Sequence, residues 1–159
     1  MQATEALAVG TPAPEFSLKG PGGQPVQLSD YRGKKNVVLV FFPLAFSPVC
    51  SHQLPDLEQH AREIEALDAA LFGVSIDSHY SNTAFAKQLG LSFPLLSDLD
   101  RKASVAYGVL QPEKGYSGRA TFVIDKQGRI AHRDVAASPG DLAQVPSPEK
   151  VIAALRRLS

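Results

Sequence analysis

Cysteine is all but absent from this chain: Cys50 is the only one in 159 residues. That count excludes an intrachain disulfide and removes every metal site or CxxC redox pair that needs several thiols. A lone thiol agrees with a reducing compartment, so a cytoplasmic protein is expected. Net charge is absent too, because 16 Lys and Arg are balanced by 16 Asp and Glu. Without a basic excess there is no general attraction to phosphate backbones or anionic bilayers, and nucleic acid is not an expected partner. Long hydrophobic runs are also missing. The longest, Val37 to Phe42, is far short of the roughly 20 residues that span a bilayer, and the N-terminus lacks the basic start and continuous apolar core of a secretory leader. No membrane association is expected.

What is present is ordinary for a soluble globular protein: 44% apolar and 20% charged residues. The length suits one domain, residues 1–159, able to bury about two thirds of the surface of its unfolded chain. Residues 14–18 and 25–28 flank the breaker cluster Gly20-Pro21-Gly22-Gly23, which predicts an early hairpin. Asn36 to Phe42, apolar from Val37 on and rich in β-branched and aromatic residues before Pro43, reads as a strand buried on both faces. Leu54, Leu57, Ala61, Ile64 and Leu67 then recur at helical spacing, predicting one amphipathic helix that starts near Cys50, with Pro55 marking a kink or a slightly later start. A strand is expected over 71–76, helices over 82–89 and 102–107, and a hairpin of 120–124 with 129–135 around Asp125-Lys126-Gln127-Gly128. Ser147 as N-cap and Pro148 at the first position open a last helix. Together these elements imply an α/β protein with a mixed sheet and helices on both faces.

A single cysteine is by default a small buried hydrophobe. The surroundings of Cys50 argue otherwise. It follows a buried strand and a short loop and stands where a helix begins, so unpaired N–H groups and the positive end of the helix dipole face the sulfur. An ordinary thiol, with a pKa of about 8.5, is only about 3% ionised at pH 7, and a helix N-terminus or nearby cation lowers that pKa. Ser47, three residues earlier, can place a hydroxyl beside the sulfur. Pro43 can wall off water, and Arg119, just before the strand at 120–124, can face charge developing on a leaving oxygen. Taken alone, each has an ordinary explanation: loop hydrogen bonding, strand termination and a solvated surface arginine.

The stretch Pro43-Leu44-Ala45-Phe46-Ser47-Pro48-Val49-Cys50 resembles the active-site signature of the peroxiredoxins: Pro, three residues, Thr or Ser, two residues, Cys. Phe41 to Phe46 is most similar to the alkyl hydroperoxide reductase E branch, with the bacterioferritin comigratory protein (peroxiredoxin Q) branch as competitor. Further segments agree: 10–16, 74–78, 96–98, 105–109 and 119–125. The resemblance implies a thioredoxin-like fold and a thiol-dependent peroxidase. Cys50 would be the peroxidatic cysteine, with Pro43, Ser47 and Arg119 as its activating shell. Gln53 departs from the family, which often carries Glu there to orient the arginine; an amide can still hydrogen-bond Arg119.

The implied chemistry is attack of the Cys50 thiolate on hydrogen peroxide or an organic hydroperoxide, leaving a sulfenic acid. With no second cysteine, an external thiol must resolve it: thioredoxin, a glutaredoxin-like protein or a low-molecular-weight thiol. No cofactor or metal is called for. The resemblance suggests a homodimer, although no surface stripe in the sequence selects it over a monomer. Three other readings compete: a thiol–disulfide exchange protein on the same fold, a peroxide-sensing redox switch or holdase without sustained turnover, and a purely structural domain. His52, His60, His79 and His132 lack zinc-site spacing. Asp98 and Asp100 read as a helix cap rather than a metal pair, and Asp56, Glu58, Glu63 and Glu65 as a solvated helix face.

Overall fold

The computed structural model describes residues 6–47, 50–136 and 146–158; Cys50 is described by its place in a helix, and its side chain lies outside the described residues, as do Pro48 and Val49. The breaker cluster makes the expected hairpin: β1 (Ser17–Lys19) and β2 (Pro25–Gln27) pair antiparallel. The apolar run forms β3 (Asn36–Phe41), buried at every position. It lies between β4 (Ala69–Ser75), which is parallel to it, and β8 (Ala120–Ile124), which is antiparallel. The seven-stranded sheet has the order β2-β1-β5-β4-β3-β8-β9, with β5 at Leu95–Ser97 and β9 at Ile130–Val135. The sheet is mixed, as expected.

Alternation along β3 divides the core. Val38, Val40 and Phe42 face one side, where they meet Leu54, Leu57, Ile64, Phe85, Val151 and Leu155 from four helices. Those helices are α1 (Cys50–Glu58), α2 (Ala61–Ala66), α3 (His79–Leu89) and α5 (Pro148–Leu158). Val37, Leu39 and Phe41 face the other side, against Phe16, Leu18, Ala103, Tyr107 and Phe122, with α4 (Lys102–Ala106) covering that layer. Successive right-handed crossovers from β3 to β4 to β5 move along the sheet in one direction, and so put α1, α2 and α3 on one face.

The expected single helix after Cys50 is two. α1 starts at Cys50 and runs through Pro55; the helix then breaks at Gln59–His60 before α2. His60 Nδ1 lies 3.0 Å from the carbonyl oxygen of Asp56, occupying an acceptor that the interrupted ladder leaves free. Because the apolar spacing stays in phase across the break, periodicity does not reveal it. α3 begins three residues earlier than expected, where Ser78 Oγ accepts from the Ser81 N–H at 3.2 Å. β5 and the small ribbon of β6 (Leu110–Gln111) and β7 (Tyr116–Ser117) are too short to leave a period in the sequence. Ser147 caps α5 through a 3.4 Å bond from the Lys150 N–H, and Asp98 caps α4 by accepting from the N–H groups of Ala103 and Ser104. No helix among the described residues is long and apolar enough to cross a membrane.

Candidate active site

The site lies at the carboxyl end of β3, where the sheet hands the chain to a loop and then to α1. Phe41 is paired with Ala120 in the antiparallel β3–β8 ladder. Arg119, immediately before Ala120, is thereby brought to the level of Phe42 and Pro43. This register, set far along the chain, carries the arginine to the signature loop. Ser117 Oγ reinforces it by donating to the Phe42 carbonyl at 3.1 Å.

Arg119 is 3% exposed and Gln53 6% exposed. Arg119 Nη1 donates to Gln53 Oε1 at 2.7 Å, so the buried guanidinium is held against the first turn of α1, the turn that Cys50 begins. A surface arginine with a solvated head is excluded by that burial. The glutamine in place of the family's glutamate keeps the arginine contact with a neutral acceptor.

Pro43 is buried. Ser47 ends the loop: its carbonyl accepts from the Ser51 N–H at 2.9 Å and so joins the loop to α1. Its Oγ is buried and has no hydrogen-bond partner among the described residues. Between these residues Phe46 takes φ 67°, a left-handed conformation that is costly for an aromatic residue, and its ring packs 4.9 Å from that of Phe85.

One set of residues was not assigned to the site from the sequence, although Ser75 and Asp77 fall in the segment 74–78 that resembles the family. Asp77 Oδ2 accepts from the Ala45 N–H at 2.8 Å, and Ser75 Oγ lies 2.8 Å from the same oxygen and 2.9 Å from Asn82 Oδ1. Polar residues at the end of a buried strand were the available signal, but they do not say which loop they will meet.

The features set aside in the sequence stay outside this site. His52 is exposed, His60 faces Glu149 at 3.3 Å, His79 lies against Tyr80, and His132 sits on β9. No group of three or more His, Cys, Asp or Glu among the described residues is arranged to hold a metal ion. Glu58 does more than face solvent: its Oε1 accepts from the N–H and Oγ of Ser92 at 2.8 and 3.0 Å.

The AhpC/TSA family profile matches residues 9–133. Alkyl hydroperoxide reductase E of Mycobacterium tuberculosis is 41% identical over 138 residues, covering 86% of this chain and 90% of that protein. The chloroplastic 2-Cys peroxiredoxin BAS1 of Hordeum vulgare is 38% identical over 137 residues, covering 80% of this chain and 65% of that protein. Among solved structures, peroxidoxin BcpB from Mycobacterium tuberculosis superposes with a TM-score of 0.83 at 27% identity, over 96% of this chain and 99% of that one. AhpC of the same organism gives 0.82 at 28% identity, over 96% and 93%.

Proposed function

The chain belongs to the AhpC/TSA family, has the thioredoxin-like fold of the peroxiredoxins and is a thiol-dependent peroxidase; from that premise we propose that Cys50 is its nucleophile, activated by Pro43, Ser47 and Arg119. The observation that carries the assignment is the buried bond from Arg119 to Gln53, which points a fixed cation at the turn where Cys50 starts α1. The Cys50 thiolate attacks one peroxide oxygen, an S–O bond forms and the O–O bond breaks. The electron pair leaves on the other oxygen, which departs as water or an alcohol after taking up a proton. Arg119 stabilises that developing charge, and Ser47 Oγ, buried and without a partner among the described residues, holds the peroxide.

The sulfenic acid then condenses with an external thiol, releasing water and leaving a mixed disulfide, and a second thiol frees Cys50. No cysteine in this chain can take the place of that thiol. Thioredoxin, a glutaredoxin-like protein and a low-molecular-weight thiol all fit, and the need for a reduced thiol supply favours the cytoplasm. A homodimer is favoured by Phe46, Tyr80 and Leu99, which follow β3, β4 and β5 at one end of the sheet and are 50%, 77% and 61% exposed. Relatives named as reductases do not favour a switch or holdase that reacts once.

The test is the second-order rate of Cys50 oxidation by hydrogen peroxide and by an organic hydroperoxide near pH 7, followed by turnover with each reductant. A rate several orders of magnitude above free cysteine, lowered by Arg119→Ala and by Ser47→Ala, is expected. A rate equal to that of free cysteine would refute the assignment.

A further inference from the structure

Asp77 stands outside the peroxidatic signature, on the segment that leaves β4, yet its carboxylate reaches into the middle of the signature loop. Oδ2 accepts from the Ala45 N–H at 2.8 Å, midway between Pro43 and Ser47. The same oxygen is braced by Ser75 Oγ at 2.8 Å, and Ser75 Oγ lies 2.9 Å from Asn82 Oδ1. Asn82 Nδ2 in turn donates to the Leu96 carbonyl of β5 at 3.1 Å. Ser75 and Asn82 are fully buried. A continuous polar chain therefore runs from the sheet, through α3, to one amide of the loop.

The residue after that amide is the strained one. Phe46, at φ 67°, persists in a conformation that must be imposed by its surroundings. Two restraints flank it: the Asp77 bond to Ala45 on one side and the ring contact with Phe85 on the other. A bond to an ionised acceptor is the stronger kind of tether, and the buried chain behind it leaves the carboxylate little freedom.

We propose that Asp77 is a positioning residue of the peroxidase: by holding the Ala45 amide it sets the course of residues 43–47 and so aims Ser47 at the peroxide. The inference rests on the assignment of Cys50 and Ser47 above. It separates two reactions of the same thiol, because attack on peroxide needs the aligned loop whereas alkylation by iodoacetamide does not.

Asp77→Ala is expected to lower the peroxide rate about 100-fold, the scale on which a displacement of about 1 Å acts. Its alkylation rate across pH should stay within about threefold of wild type, since the thiolate itself is unaltered. Asp77→Asn retains an oxygen that can accept the Ala45 N–H and should recover the rate to within about fivefold of wild type, as a neutral acceptor is the weaker one. An undiminished peroxide rate in Asp77→Ala, or a peroxide and an alkylation rate that fall together, would overturn the role. Should that variant fail to fold, Ser75→Ala removes the brace on the same oxygen and is judged by the same two rates. A slow wild type would bring down the assignment of Cys50 as well; a fast wild type with an equally fast Asp77→Ala would bring down only the role of Asp77.

Discussion

Arg119 and Gln53 are 66 positions apart in the chain, and their buried side chains meet in a 2.7 Å hydrogen bond. The bond links the start of β8 to the first turn of α1, the two elements that converge on the carboxyl end of β3. It fixes the direction of a guanidinium inside the protein, where a charge acts more strongly than in water.

Gln53→Ala removes that acceptor while leaving Arg119 in place. A buried hydrogen bond to a charged group contributes about 1.5–3 kcal/mol, so the denaturant midpoint should fall accordingly. The peroxide rate should fall as well, because the arginine loses the acceptor that ties it to the first turn of α1. Arg119→Ala should cost about 10²–10³ in rate, the scale of losing one preorganised donor. Equal rates for wild type and Gln53→Ala in stopped flow would show that the amide is not needed to aim the arginine.

Ser47→Ala should divide stability from activity. The hydroxyl is buried without a partner among the described residues, so deleting it removes a desolvated polar group and no hydrogen bond to any of them. The melting temperature is expected to hold or rise slightly. The peroxide rate is expected to fall about 10–100-fold through loss of a positioning contact. A large drop in melting temperature would mean that the hydroxyl serves the fold instead.

Peroxide in excess, with no thiol present, should carry Cys50 past the sulfenic acid. Mass spectrometry of the intact chain should then show a gain of two oxygen atoms, not reversed by dithiothreitol and absent from Cys50→Ser. Added thioredoxin or a low-molecular-weight thiol should suppress it in proportion to the turnover each supports.

His132 gives the fold a dependence on acid. Burial holds its pKa below the usual histidine value; Asp134 opposes that shift, and Arg157 and Lys150 add to it. The unfolded chain therefore binds a proton at higher pH than the folded protein. The stability attached to this group is fully present above the ordinary histidine pKa, about 6.5, and is lost as pH falls from there through the depressed folded value. Melting curves between pH 7.5 and 5 should show a steeper decline for wild type than for His132→Gln. Parallel curves would assign the acid sensitivity to other groups.

Much of the architecture was legible because it is local. The apolar run at 37–42, the helical spacing after Cys50, Ser147-Pro148 and the breaker cluster at 20–23 each state their structure within a few residues. The break at Gln59–His60 was not, since the apolar period runs through it unchanged and only the hydrogen-bond ladder records the interruption. β5, β6 and β7 escaped for a simpler reason: two or three residues are too few to carry a period.

For the site the division is sharper. By itself the sequence pointed to the proposed nucleophile and its loop, because Pro43, Ser47 and Cys50 are joined by a fixed number of bonds and the proposed chemistry depends on that spacing. It also determined that any resolving thiol is absent from this chain, since that is a matter of counting. Only the tertiary structure decided what surrounds the loop. Arg119 reaches Gln53 through the register of β3 against β8, and Asp77 reaches Ala45 through the parallel pairing of β3 with β4. Register arises from the packing of two core layers against a whole sheet, so the partners it brings together leave no pattern in the residues on either side of them.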